Sequence, residues 1–295
     1  MNKNSAAFTL TVAVVLCLCC SVVVAGAAVL LRPMQEKNAL IKKQRNVLAA
    51  AGLYDAATDG PEQIEAKYAK SVVSVPVQLI DGSLDNTVDV ASYSAVDAAK
   101  DVEASSPIGG DFPLVGYPRR EDVAIAYLVK SEGGDLDKVV MPVYGKGLWS
   151  TLYGFLALES DLRTIAGLTF YSHAETPGLG GEVDNPAWKS QWVGKLAYND
   201  EGRPNVTVQK GGYDRNDPNA SYMVDGLSGA TITSNGVENL VNYWISRDAF
   251  GPFLEKIESG QFTLQDAEAA AEKNAAEKNA AENTSEEGDA ASDAA

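Results

Sequence analysis

Three short segments combine glycine with hydroxyl or ring side chains: Gly145-Lys-Gly-Leu-Trp-Ser-Thr151, Glu175-Thr-Pro-Gly-Leu-Gly-Gly181 and Asp225-Gly-Leu-Ser-Gly-Ala-Thr-Ile-Thr-Ser234. Glycine lets backbone approach a flat ligand and take positive φ. Each segment taken alone reads first as a tight turn. The third runs into an amphipathic helix expected over 234–247, with Thr233 or Ser234 as the natural N-cap. Free N–H groups and the positive end of the helix dipole favour an anion at such a start. A phosphate joined to Thr231 would lie there. The Thr231 hydroxyl is the nucleophile, Gly229 and Ala230 leave room for a modifying enzyme, and Asp225 is placed to help position a metal during attachment.

Other chemistries are poorly supplied. Cys17, Cys19 and Cys20 all lie in the N-terminal apolar run, so the remaining chain has neither disulfide nor thiolate metal site. The single histidine, His173, excludes multi-histidine zinc or haem sites and weakens any Ser-His-Asp arrangement. No metal site is expected. Redox chemistry here would need an organic cofactor. The net charge of −16, with no basic stripe, argues against a nucleic-acid surface.

The elements that must position these segments read as α+β. Residues 8–31 carry no charge and would span about 35 Å as a helix, enough to cross a bilayer. A cleaved signal peptide competes with a retained anchor, because Lys3 precedes the run and Ala25-Gly-Ala27 resembles a cleavage site, but the run exceeds a secretory h-region. A helix is expected over about 34–51. Strand-like runs occupy 71–80, 123–129, 139–144 and 206–210, and 153–158 with 164–172 bracket a hairpin loop at 159–163. A short helix is expected over 185–192. Strands outnumber helices and hairpins dominate, which indicates an antiparallel sheet with flanking helices behind one transmembrane helix. From Leu264 the chain turns to Ala, Glu, Asn, Lys and Asp, with Ala-Glu-Lys-Asn-Ala repeated at 271–275 and 276–280, the composition of a solvated acidic tail.

At Ser228-Gly-Ala-Thr231 after Asp225-Gly226, the sequence resembles the flavinylation motif in which a flavin transferase moves FMN from FAD to the last threonine of the quartet. The wider stretch resembles the covalent FMN-binding subunit of the Na⁺-translocating NADH:quinone oxidoreductase. The residues that carry this run from Val143-Tyr-Gly-Lys-Gly-Leu-Trp149 through Glu175–Trp188 to Ser228–Val237 and Gly251-Pro-Phe253, with Arg45-Asn-Val-Leu-Ala-Ala-Ala-Gly52 after the anchor. The long N-terminal part and Gly181-Glu-Val-Asp-Asn-Pro-Ala-Trp188 favour this family over the related ferredoxin-linked Rnf flavoprotein. A non-redox exported scaffold, whose glycine loops only make turns, is the reading of another class.

The resemblance implies an anchor over 1–33, an N-terminal part over 34–142, an FMN-binding domain over 143–263 and the tail over 264–295. It implies FMN held covalently by a phosphoester to Thr231, electron transfer within a six-subunit membrane complex that couples NADH oxidation by quinone to Na⁺ export, and a flavin transferase as maturation partner. Around such a flavin, Leu148, Trp149 and Ser150 are candidates for the ring, with core packing the alternative for Trp149; Glu175, Thr176, Leu179 and Gly180 would form a wall; Lys210 would face a phosphate or ring charge, with a solvated surface lysine the alternative; and Ser228, Gly229, Ala230 and Thr231 are the attachment quartet. Arg32, Lys37, Lys42, Lys43 and Arg45 follow the apolar run while only Lys3 precedes it, so charge alone would put the domain in the cytoplasm. The family implies the periplasmic side of a bacterial inner membrane, because a large translocated domain overrides modest flanking charge.

Overall fold

A computed structural model describes residues 6–109 and 116–276. Helix α1, Ala6–Ala50, runs without a break through Pro33, so the anchor and the helix expected after it are one element. The chain falls into two compact units that meet in sequence between Gln44 and Arg45. The first is apolar helix, exposed throughout its most hydrophobic window, long and apolar enough to cross a membrane.

The second unit is built on one antiparallel sheet of five strands in the order β1, β4, β5, β6, β7. After α2 (Pro61–Ser71) come β1 (Val72–Gln78), the short α3 (Ala95–Ala98) and a small hairpin of β2 (Ser105–Pro107) and β3 (Arg119–Glu121). Then β4 (Val123–Lys130), β5 (Leu136–Lys146), β6 (Thr151–Glu159) and β7 (Ile165–Ser172) follow as a meander. The β6–β7 turn is set by Asp161, whose carboxylate accepts from the Arg163 and Thr164 amides at 2.9 and 2.8 Å and from the Thr164 hydroxyl at 2.6 Å. The expected hairpin is therefore present.

The boundary expected between 142 and 143 falls inside β5. Strands from both sides of it share one hydrogen-bonded sheet, so residues 45–276 are a single body rather than two parts. The boundary at 263 also shifts. Residues 264–276 are helical, with Leu264, Ala267 and Ala270 buried and Lys130 paired to Glu268 at 2.9 Å. The rest of the expected tail, 277–295, lies outside the described residues.

One face of the sheet carries the main core: Val75, Ala126, Met141 and Leu156 pack against α5 (Thr231–Trp244) and α6 (Gly251–Glu258) through Val237, Leu240, Val241, Trp244 and Phe253. On the other face Tyr127, Phe155 and Tyr171 form a run of ring contacts. Residues 47–51 cross β7 close enough that a Cβ on Gly167 would lie 2.4 Å from the Ala50 carbonyl oxygen. The expected helix at 185–192 is α4 (Pro186–Lys189) followed by a 3₁₀ turn, Ser190–Trp192, and β8 (Thr207–Gln209) pairs in parallel with β9 (Met223–Asp225).

Candidate functional site

Helix α5 starts three residues earlier than its hydroxyls suggest. Thr231 is its first residue, and Ala230 occupies the N-cap position with φ −130° and ψ 49° and no side-chain cap. The first intrahelical bond runs from the Ser234 amide to the Ala230 carbonyl at 2.9 Å, so the amides of Thr231, Ile232 and Thr233 precede it. Thr233 and Ser234 do not cap because both hydroxyls are engaged elsewhere. Ser234 Oγ accepts from the Leu227 amide at 2.9 Å, closing the 227–234 loop, and Thr233 donates to Glu175 Oε2 at 2.7 Å.

Glu175 joins the three glycine segments. Its residue is 5% exposed, and its carboxylate accepts from the amides of Leu148, Trp149 and Ser150 at 3.3, 2.9 and 3.0 Å, from Ser150 Oγ at 3.3 Å and from Thr233. Burial alone would raise its pKa. The bonds from Thr233 and the three amides outweigh that and hold the carboxyl below its ordinary range. The side chain therefore faces inward, and what this loop offers outward is its backbone and its neighbours. His173 bridges the loop, accepting from the Glu175 amide at Nδ1 and meeting Asp184 Oδ2 through Nε2 at 2.9 Å.

The attachment quartet comes against the middle segment. Gly229 has φ 71°, open to glycine, and a Cβ there would lie 2.9 Å from Leu179 Cδ2. Gly180 is buried against Glu175 and Thr233, while the Thr176 carbonyl turns the loop by accepting the Leu179 and Gly181 amides. Thr231 and Ser228 are exposed. The same three segments carry apolar side chains open to solvent: Trp149 at 69%, Ile232 at 58%, Leu179 at 43% and Leu148 at 42% exposure.

Lys210 belongs to the same neighbourhood through its backbone. The Gly226 amide donates to Gln209 C=O at 2.8 Å, and a Cβ on Gly226 would lie 3.5 Å from Lys210 Cα. Its side chain is exposed. Asp225 is not free to hold a metal: its carboxylate accepts from the Tyr213 amide at 2.9 Å and pairs with Arg215 at 2.7 Å. No cluster of metal-ligating side chains occurs among the described residues. Trp188 and Trp192 pack as an edge-to-face pair, Trp188 Nε1 donates to the Asp225 carbonyl at 2.7 Å and Gln191 Oε1 accepts from the Asp225 amide. Those supports of the motif loop lie more than 30 positions away, and spacing carries no signal of them.

A cleft of about 620 Å³ lies at the other end of α5, lined by Arg163, Tyr198, Arg203, Ile245 and Arg247 among others. Its three arginines are held by the Asn199 carbonyl, Glu201 and Glu255.

The residues present fit a phosphate-linked flat ligand: an exposed hydroxyl at an uncapped helix start, glycines where a side chain would block the approach of two loops, and an apolar rim. The FMN-binding domain family matches residues 147–246. The C-type subunit of the Na(+)-translocating NADH-quinone reductase of Pseudomonas aeruginosa is 46% identical over 260 residues, covering 88% of this chain and 99% of that protein. The Yersinia pestis protein of the same name is 44% identical over 259 residues, covering 88% and 96%. The crystal structure of Shewanella oneidensis NqrC superposes with a TM-score of 0.69 at 34% identity, covering 77% of this chain and 99% of that one. This chain belongs to the family of C-type subunits of the Na⁺-translocating NADH-quinone reductases.

Proposed function

We propose that this chain is the electron-carrying flavin subunit of a Na⁺-pumping NADH:quinone reductase, with FMN joined through its phosphate to Thr231. The observation that carries this reading is the Thr231 hydroxyl, exposed as the first residue of α5 with no side-chain cap on the helix. Thr231 Oγ1 would be the nucleophile toward the FMN phosphorus of FAD held by a flavin transferase, the P–O ester replacing the pyrophosphate bond, with AMP as leaving group and the hydroxyl proton going to the transferase or solvent.

Bound FMN supplies reversible electron transfer. The chain's part is to hold it: the amides of Thr231, Ile232 and Thr233 and the helix dipole favour the phosphodiester. Leu148, Trp149, Leu179 and Ile232 offer apolar contact, Ser150, Thr176 and Gly180 shape the loops, and Lys210 adds positive charge beside Gly226. So open a rim would hold a free cofactor weakly, and a covalent tether keeps its local concentration fixed. The domain lies on the periplasmic side, and the other subunits of the complex are the electron partners.

Mass spectrometry of the peptide carrying Thr231, from cells that possess the transferase, is the test. The expected result is an added FMN at Thr231 and its loss in Thr231→Ala. An unmodified Thr231 in such cells, or FMN retained in Thr231→Ala, overturns the proposal.

A further inference from the structure

Glu175 is an anion enclosed without a counter-ion. No lysine or arginine pairs with it among the described residues, and five donors converge on it from two segments distant in sequence. Its carboxylate is also walled by glycines. A Cβ on Gly147 would lie 2.6 Å from Oε1, and one on Gly180 2.7 Å from Oε2. Two of the three glycine-rich segments are thus glycine, at these positions, because the carboxylate fills the space a side chain would need. An unpaired charge in such a place is tolerated only when fully hydrogen-bonded. The same bonds hold the group ionised against its burial.

We propose that Glu175 is a positioning residue that fixes Leu148-Trp149-Ser150 against the first turn of α5, and that its enclosed negative charge lowers the reduction potential of the flavin carried at Thr231. The second half rests on the FMN reading above. The charge sits one hydrogen bond from Thr233, two residues along the chain from Thr231, and one hydrogen bond from the Trp149 amide. Adding an electron to a ring in this loop cluster brings further negative charge toward a fixed one that is largely shielded from bulk water.

Two substitutions separate charge from reach. Glu175→Gln removes the charge and turns one acceptor into a donor, and Glu175→Asp keeps the charge but shortens the arm. Both are made in the full chain in detergent, with and without flavin transferase. In flavin-free protein, hydrogen exchange at the Leu148, Trp149 and Ser150 amides should quicken about tenfold or more in both variants, the loss expected of charge-assisted bonds. In flavin-loaded protein, the midpoint potential should rise in Glu175→Gln and stay near the parent's in Glu175→Asp. Parental exchange rates in both variants overturn the positioning role. A parental potential in Glu175→Gln with FMN attached overturns the electrostatic role. A parent chain that never acquires FMN sinks the flavin reading instead, while exchange in the flavin-free chain still decides the clamp. If Glu175→Gln does not fold, exchange in Glu175→Asp decides it.

Discussion

Glu121 is 1% exposed, and only one of its oxygens has a partner: Tyr144 donates its hydroxyl to Oε2 at 2.7 Å, while Oε1 has none among the described residues. The neighbouring Arg120 guanidinium donates instead to the carbonyls of Asp248 and of Glu121 itself and reaches Asp122 at 3.7 Å, so its charge offsets the burial of the Glu121 carboxyl only in part. Burial pushes the Glu121 carboxyl up from 4.5 to about 7, against the smaller opposing effect of the Tyr144 bond. Glu175, with five donors, moves the other way. A group with a raised folded-state pKa contributes stability that is complete below its unfolded value and is lost as pH rises through the folded one. For Glu121 that window runs from about 4.5 to about 7, and the loss is on the order of 3 kcal/mol. Glu121→Gln should remove this slope. Melting temperature measured from pH 5 to pH 8 should fall less in the variant than in the parent, with the variant more stable at pH 8, and parallel curves would refute the assignment.

At the scale of elements, α5 is held to the end of β5 by glycines on both sides. A Cβ on Gly236 would lie 2.3 Å from the Lys146 carbonyl oxygen, and one on Gly145 2.7 Å from Leu240 Cβ. Alanine inside a helix is favoured over glycine by about 1 kcal/mol. The close partner of Gly236 is backbone, which cannot rotate away, so overpacking wins. Gly236→Ala should cost a net 1–3 kcal/mol, roughly, in chemical denaturation and reduce FMN attachment at Thr231, because the helix start moves with the helix. A stabilised variant would show that α5 has room to shift. This contact is invisible in the sequence, where Gly236 reads only as a weak spot in a helix. The apolar stripe of α5 and the β6–β7 hairpin are legible because their patterns are local: Val237, Leu240, Val241 and Trp244 recur at helical spacing, and Asp161 closes its own turn. The sequence misplaces the start of α5 because Thr233 and Ser234 look like caps, and only distant partners, Glu175 and Leu227, show how they are used. Arg119-Arg120-Glu121 does not read as a strand, since buried charge defeats any hydrophobic pattern. The glycine segments announce a ligand loop, yet the residue that organises them, Glu175, looks from sequence like part of its wall.

The whole chain joins an apolar helix to a domain that belongs to a membrane-complex family, and the two sequence signals for its orientation conflict. Five basic residues between Arg32 and Arg45 follow the apolar run and one lysine precedes it, the pattern of a cytoplasmic flank. Glu36 pairs with Arg32 at 2.9 Å and offsets part of that charge. Flanking charge governs short loops, whereas a body of more than 200 residues translocates largely regardless of it, so the charge pattern does not decide against the proposed periplasmic placement. Two outcomes follow. Carbonate washing should leave the full chain in the membrane pellet, and deleting residues 1–33 should release it, because no other described helix is long and apolar enough to span a bilayer. In spheroplasts, added protease should digest the domain while a cytoplasmic marker survives. Protection of the domain until the membrane is broken would place it inside, and would also put Thr231 among the cytoplasmic flavin pool, where a covalent tether would have no retention to explain.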